Sequence, residues 1–211
     1  MVIPVKNIKV VAFDCDGVMF DTLETNIIFY NTILKQFNRP AMTKEQIKYV
    51  HMQTVEKSLE FLFSDLDSLK DVKAFKNSMD YRSFMPYMKI EPELKPLLKN
   101  LRPRYKTAIA TNRTNTMKSV LKEFNLSSLF DMVVTSLDVV NPKPKPDPLF
   151  KIINHFGIEH DEIVFIGDTI VDQKAANSAK VSFIAYDNPS LEANYHIKSL
   201  KEIYTILDWQ Y

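Results

Sequence analysis

Five short apolar runs recur along this chain: Lys9–Asp14, Lys106–Thr111, Met132–Thr135, Ile163–Gly167 and Val181–Ala185. They are dense in Val, Ile and aromatics with little alternation, a pattern that predicts strands covered on both faces. Between them, apolar residues return at helical spacing. Leu94, Leu97, Leu98 and Leu101 follow Pro92, which is expected at the first turn of its helix. Met117, Val120, Leu121 and Phe124 repeat the pattern, as do Leu149, Ile152, Ile153 and Phe156, with Gly157 placed to cap the latter helix. Ser199 and Glu202 have capping-box spacing ahead of a last helix. Strands alternating with helices require a parallel sheet with helices on both sides. The chain reads as α/β.

One stretch breaks the alternation. From residue 22 to 88 only helical spacing is found, including Leu23, Ile27, Ile28, Leu34 and Phe37, then Thr43 with Gln46 as a capping box, then Val55, Leu59 and Leu62. That is too long for one crossover. Residues 22–88 are expected to form a small all-helical domain inserted after the first strand, with 1–21 and 89–211 forming the core.

In open parallel sheets, ligands bind at the carboxyl ends of the strands. The first strand is followed by Asp14-Cys15-Asp16-Gly17-Val18, and the second ends in Thr111-Asn112-Arg113. The third leads to Asn141-Pro142-Lys143-Pro144-Lys145-Pro146-Asp147, and the fourth to Gly167-Asp168-Thr169-Ile170-Val171-Asp172. Four polar strand ends can converge on one small volume. A second Asp-x-Asp, Asp65-Leu66-Asp67, has no strand to deliver it and reads as a solvated helix start. Only 3 of the 211 residues are glycine, against about 7% in an average chain. This excludes the glycine-rich phosphate loop and the dinucleotide-binding turn. The formal charge of +1 offers no field for nucleic acid or an anionic membrane. No apolar run approaches the roughly 18 residues of a membrane helix. The one cysteine, Cys15, allows no internal disulfide. A cytoplasmic protein is expected, with no nucleic-acid or membrane partner; oligomeric state is not legible.

The four segments, in this order and spacing, resemble the motifs of the haloacid dehalogenase superfamily, most closely its phosphatase branch with a helical cap. The match runs over nearly the whole chain: Asp14-Cys15-Asp16-Gly17-Val18, then Thr111-Asn112, then Lys143 in its proline-rich string, then Gly167-Asp168-Thr169 with Asp172. Lys180 departs from it, standing where relatives usually have glycine. The resemblance implies a Rossmann-like core and an Mg²⁺-dependent phosphatase acting on a small phosphorylated metabolite. It makes Asp14 the nucleophile, Asp16 the general acid and base, and Lys143 the charge that offsets the phosphoryl group. Asp14, the main-chain carbonyl of Asp16, and Asp168 are implied metal ligands, with Asp172 supporting the metal close by. Thr111 and Asn112 are implied phosphate contacts. The two motif Asp residues favour phosphoryl chemistry over carbon–halogen cleavage.

Other residues admit two readings. Arg113 either touches phosphate or caps a helix. His51 lies in His51-Met52-Gln53-Thr54, where relatives place a substrate-touching cap loop; a plain inter-helix loop is the alternative. Cys15 reads as a buried structural thiol. Lys143 and Lys145 are each followed by proline, which favours an extended string. A sugar-phosphate phosphomutase is the enzyme alternative, weakened because Asn26 stands where those relatives carry a cap histidine. A catalytically idle phosphate-binding protein is the other, although no motif carboxylate is missing.

Overall fold

The computed structural model describes residues 7–207, which fall into two compact units. One runs up to Phe20 and resumes at Ile90; the other is Asp21–Lys89. The strands of the first unit are β1 (Val10–Phe13), β4 (Lys106–Ala110), β5 (Met132–Val134), β6 (Ile163–Gly167), β7 (Ser182–Tyr186) and β8 (Tyr195–Ile197). Two-residue strands β2 (Phe20–Asp21) and β3 (Lys89–Ile90) lie where the chain leaves the first unit and returns.

The six long strands form one sheet in the order β5-β4-β1-β6-β7-β8, every neighbouring pair parallel. Successive strands run outward from β1 on one side, then from β6 on the other. This is the doubly wound, Rossmann-like arrangement, and its crevice opens at the carboxyl end of β1. Strands β1 and β6 are buried at every residue, so their unbroken apolar runs are what two covered faces require. Val10 and Ala12 share one face with Ala108, Ala110 and Phe165. That face packs on Leu149, Ile152 and Ile153 and on Ala175, Ala176 and Ala179.

Five of the strands are those the sequence predicts. The sixth, β8, was not foreseen: it is a three-residue edge strand with exposed His196 at its centre, too short and too polar to register as an apolar run.

The Asp21–Lys89 unit is all helical between its terminal strands: α1 (Leu23–Gln36), α2 (Lys44–Met52), α3 (Val55–Leu62) and α4 (Lys70–Ser78), then a 3₁₀ segment. Thr43 and Gln46 form the expected capping box. Most aromatic residues of this unit are core, with Phe29 edge-on to Phe84 and Phe37 edge-on to Phe63, but Phe61 is exposed. Asp65 does not begin a helix. It accepts from Arg39 at 2.7 Å, and α4 starts only at Lys70.

The remaining helices are α5 (Leu94–Leu101), α6 (Met117–Glu123), α7 (Asp147–Phe156), α8 (Ile170–Ala179) and α9 (Ile203–Ile206). Helix α5 starts two residues after Pro92, because a turn bond from Leu94 N–H to the Glu91 carbonyl comes first. Gly157 caps α7 at φ 61°, as its position predicts. Lys180 takes the same left-handed conformation after α8, at φ 56°. A side chain there costs about 1–2 kcal/mol relative to glycine.

Candidate active site

Backbone pairing places Asp14 and Thr111 at strand ends. Asp14 N–H donates to the Ile166 carbonyl at 2.8 Å, and Thr111 N–H to the Val134 carbonyl at 3.0 Å. Cys15 is buried within the turn after β1, its carbonyl accepting from Met19 and Phe20 N–H. Burial pushes its thiol well above the usual range. It is a structural residue, as expected.

Gly17 has φ +85°, and a Cβ on it would lie 2.0 Å from Oδ2 of Asp168. Only a bare backbone lets β1's turn approach this carboxylate. Gly17→Ala is therefore expected to cost more than about 1 kcal/mol. Because the displaced group is Asp168, turnover should also fall by about 10²-fold. Thermal melting and kcat check both.

Lys143 is 3% exposed, and its Nζ donates to Asp14 Oδ1 at 2.8 Å and Asp172 Oδ1 at 2.5 Å. Phe165, whose ring centroid is 5.3 Å from Nζ, lies beneath it. Lys145 is exposed. The string is not extended, as its prolines suggested. Lys145 N–H donates to the Pro142 carbonyl at 3.0 Å, and this hydrogen bond closes a turn that sends one lysine inward and the other out. The Lys143–Pro144 peptide is cis. Asn112 holds the segment from below, its Nδ2 donating to the Lys143 carbonyl at 3.0 Å.

Oxygens of Asp14, Asp168 and Asp172 lie within 4.8 Å of one another. Asp172 is bonded on both oxygens, Oδ1 by Lys143 and Oδ2 by Thr169, through the capping box that opens α8. Asp168 Oδ1 is buried with no hydrogen-bond partner among the described residues. Burial pushes the Asp14 carboxyl up to about 7; Lys143 opposes this, while Asp172 and Asp16 add to it. Burial likewise holds Asp168 well above the usual carboxylate range, with Asp172 and Asp14 contributing. For Lys143, burial acts downward, but Asp14 and Asp172 outweigh it and keep the ammonium charged. One lysine does not balance this many carboxylates. An all-oxygen donor set with an unpartnered buried oxygen and surplus negative charge fits a hard divalent cation.

Arg113 does not cap α6, which begins at Met117. Its guanidinium grips Asp16, Nη2 to Oδ1 at 2.6 Å and Nε to Oδ2 at 2.8 Å. With its carboxylate so held, Asp16 is not in the group of carboxylates that converge. His51 belongs to the Asp21–Lys89 unit. It sits in the last turn of α2 rather than in a loop, with Nδ1 3.1 Å from Asn26 Nδ2. Two contributors escaped the sequence reading. Phe165 gave no polar signal, and Asn188, which donates to the Asp168 carbonyl at 2.8 Å, follows the fifth strand, outside the four polar segments.

The family model for haloacid dehalogenase-like hydrolases matches residues 11–186. The chain belongs to this family. Its relatives include the phosphoglycolate phosphatase of Haemophilus influenzae, 24% identical over 88% of this chain and 91% of that protein. Pyrophosphatase PpaX of Bacillus velezensis is 26% identical over 82% of this chain and 81% of its own length. Among solved structures, a subfamily IA hydrolase of the same superfamily from Geobacter sulfurreducens is 37% identical, with a TM-score of 0.84 over 95% of this chain and 100% of that one. Among the described residues of this hydrolase, no helix is long and apolar enough to cross a membrane.

Proposed function

We propose that this hydrolase is an Mg²⁺-dependent phosphatase that cleaves a small phosphorylated metabolite through an aspartyl-phosphate. The observation that carries the reading is Asp14 held by the buried ammonium of Lys143 at 2.8 Å, beside Asp168 and Asp172. An anion attacking a phosphate dianion meets repulsion of about 4 kcal/mol per unit pair at 4 Å and an effective dielectric of 20. Lys143 offsets part of that, and Asp14, Asp168 and the Asp16 carbonyl would hold an Mg²⁺ supported by Asp172, which would neutralise phosphoryl charge when bound.

Lys143 engages Oδ1 of Asp14, leaving Oδ2 to attack phosphorus as the bond to the leaving oxygen breaks. Asp16 supplies the proton that oxygen needs. In the second half, Asp16 takes a proton from water as the water oxygen bonds phosphorus and the Asp14–phosphorus bond breaks, releasing inorganic phosphate. The Thr111 hydroxyl accepts from Arg113 N–H at 3.1 Å and retains its own proton for a phosphate oxygen. Relatives named for phosphoglycolate and for pyrophosphate favour a small substrate. The mutase reading has less support, because Asn26 carries no titratable group and is bonded to His51.

Release of inorganic phosphate from 4-nitrophenyl phosphate tests the reading. Mg²⁺ should support it, excess chelator should remove it, and Ca²⁺ should inhibit, because its longer bonds and higher ligand number allow Asp14 to bind through both oxygens. Full activity in chelator would rule out the metal's part.

A further inference from the structure

The Arg113–Asp16 pair joins two strand ends far apart in sequence, and neither the phosphate-contact nor the helix-cap reading of Arg113 explains it. The arginine is itself fixed. It is 8% exposed, its N–H donates to the Thr111 hydroxyl at 3.1 Å, and its carbonyl accepts from Ser136 N–H at 3.0 Å and Ser136 Oγ at 3.1 Å. Nη1 lies 3.5 Å from Thr116 Oγ1. Asp16 is less secure. Its side chain is 20% exposed, and it precedes a glycine in the left-handed region. A carboxylate that must give and take a proton at one point in space needs its plane held by a second group.

We propose that Arg113 is a positioning residue for Asp16, its planar fork fixing the carboxylate while leaving it able to exchange protons with leaving group and water. This rests on the phosphatase reading above. Geometry supports it: each carboxylate oxygen offers two lone pairs, and a two-pronged arginine uses one on each. A lysine, as a single point charge, would hold the position but not the plane.

The experiment is steady-state kinetics on 4-nitrophenyl phosphate at saturating Mg²⁺. Arg113→Met should lower kcat by about 10²-fold, the low end of a general acid–base contribution. KM should stay within about threefold, because no substrate contact is removed. Arg113→Lys should recover about tenfold of the loss. In an Asp16→Asn background, Arg113→Met should change kcat by less than about twofold, since an effect exerted through Asp16 cannot be lost twice. A rise in KM with kcat retained would make Arg113 a phosphate ligand and overturn the proposal. Equal losses in both backgrounds would overturn it too. Should Arg113→Met not fold, Arg113→Gln serves the same comparison. No phosphate release by the wild type would sink the phosphatase reading itself; release by the wild type with an unaltered Arg113→Met kcat would sink only this inference.

Discussion

Asp14→Asn is expected to abolish turnover, by at least about a thousandfold, while the protein stays folded. The substitution keeps the shape of the side chain and leaves an oxygen to accept from Lys143, but an amide does not attack phosphorus. The fold should tolerate it well. Asp14 is a buried carboxyl whose ionisation is opposed by burial and by Asp172, so a neutral isostere removes repulsion as well as an ion pair. The melting temperature without metal should therefore stay within a few degrees of wild type. Measurement pairs phosphate release with thermal melting. Near-wild-type turnover in uncontaminated protein would end the nucleophile assignment; a collapsed melting temperature would mean that Asp14 is needed for folding.

Lys143→Ala should be nearly as damaging to turnover and worse for stability. It removes the charge aimed at the phosphoryl group, a loss of about 10²–10³ in kcat for one preorganised electrostatic partner. It also strands Asp14 and Asp172, both bonded to Nζ, in a buried site. Breaking a buried pair from one side costs about 3–5 kcal/mol, and Mg²⁺ should restore part of it by supplying positive charge to the same carboxylates. Lys145→Ala is the control. Its side chain is exposed, so kcat/KM should change by less than about tenfold, or about 1.4 kcal/mol. The comparison is kcat for the two variants at saturating Mg²⁺, with melting curves with and without metal. If Lys145→Ala is the crippled variant, the register of the third segment is off by two residues.

Much of this molecule was legible in one dimension. Buried parallel strands need unbroken apolar runs, and those runs marked five strands of the sheet. Since a parallel sheet presents its ligands at strand ends, Asp14, Thr111 and Asp168 could be marked as candidates without coordinates, while Lys143 was singled out only by the family resemblance. Local chemistry was equally readable. Thr43 with Gln46 and Gly157 act within a few residues of themselves, so their caps are where spacing puts them. The weak edge strand β8 was missed because a short, half-exposed element has no apolar signature.

What the tertiary structure alone decided is how charges distant in sequence are paired. The residues themselves say that Arg113 is a cation near the second motif; only the packing of β4 beside β1 delivers its guanidinium to both oxygens of Asp16. The same is true of Lys143, whose choice between solvent and Asp14 rests on a turn from Pro142 to Lys145 and on Asn112 holding its carbonyl. Apolar periodicity is a property of the chain because burial acts on each residue by itself. A charge pair has no meaning until two backbones, fixed by sheet register, bring the partners within a hydrogen bond of each other.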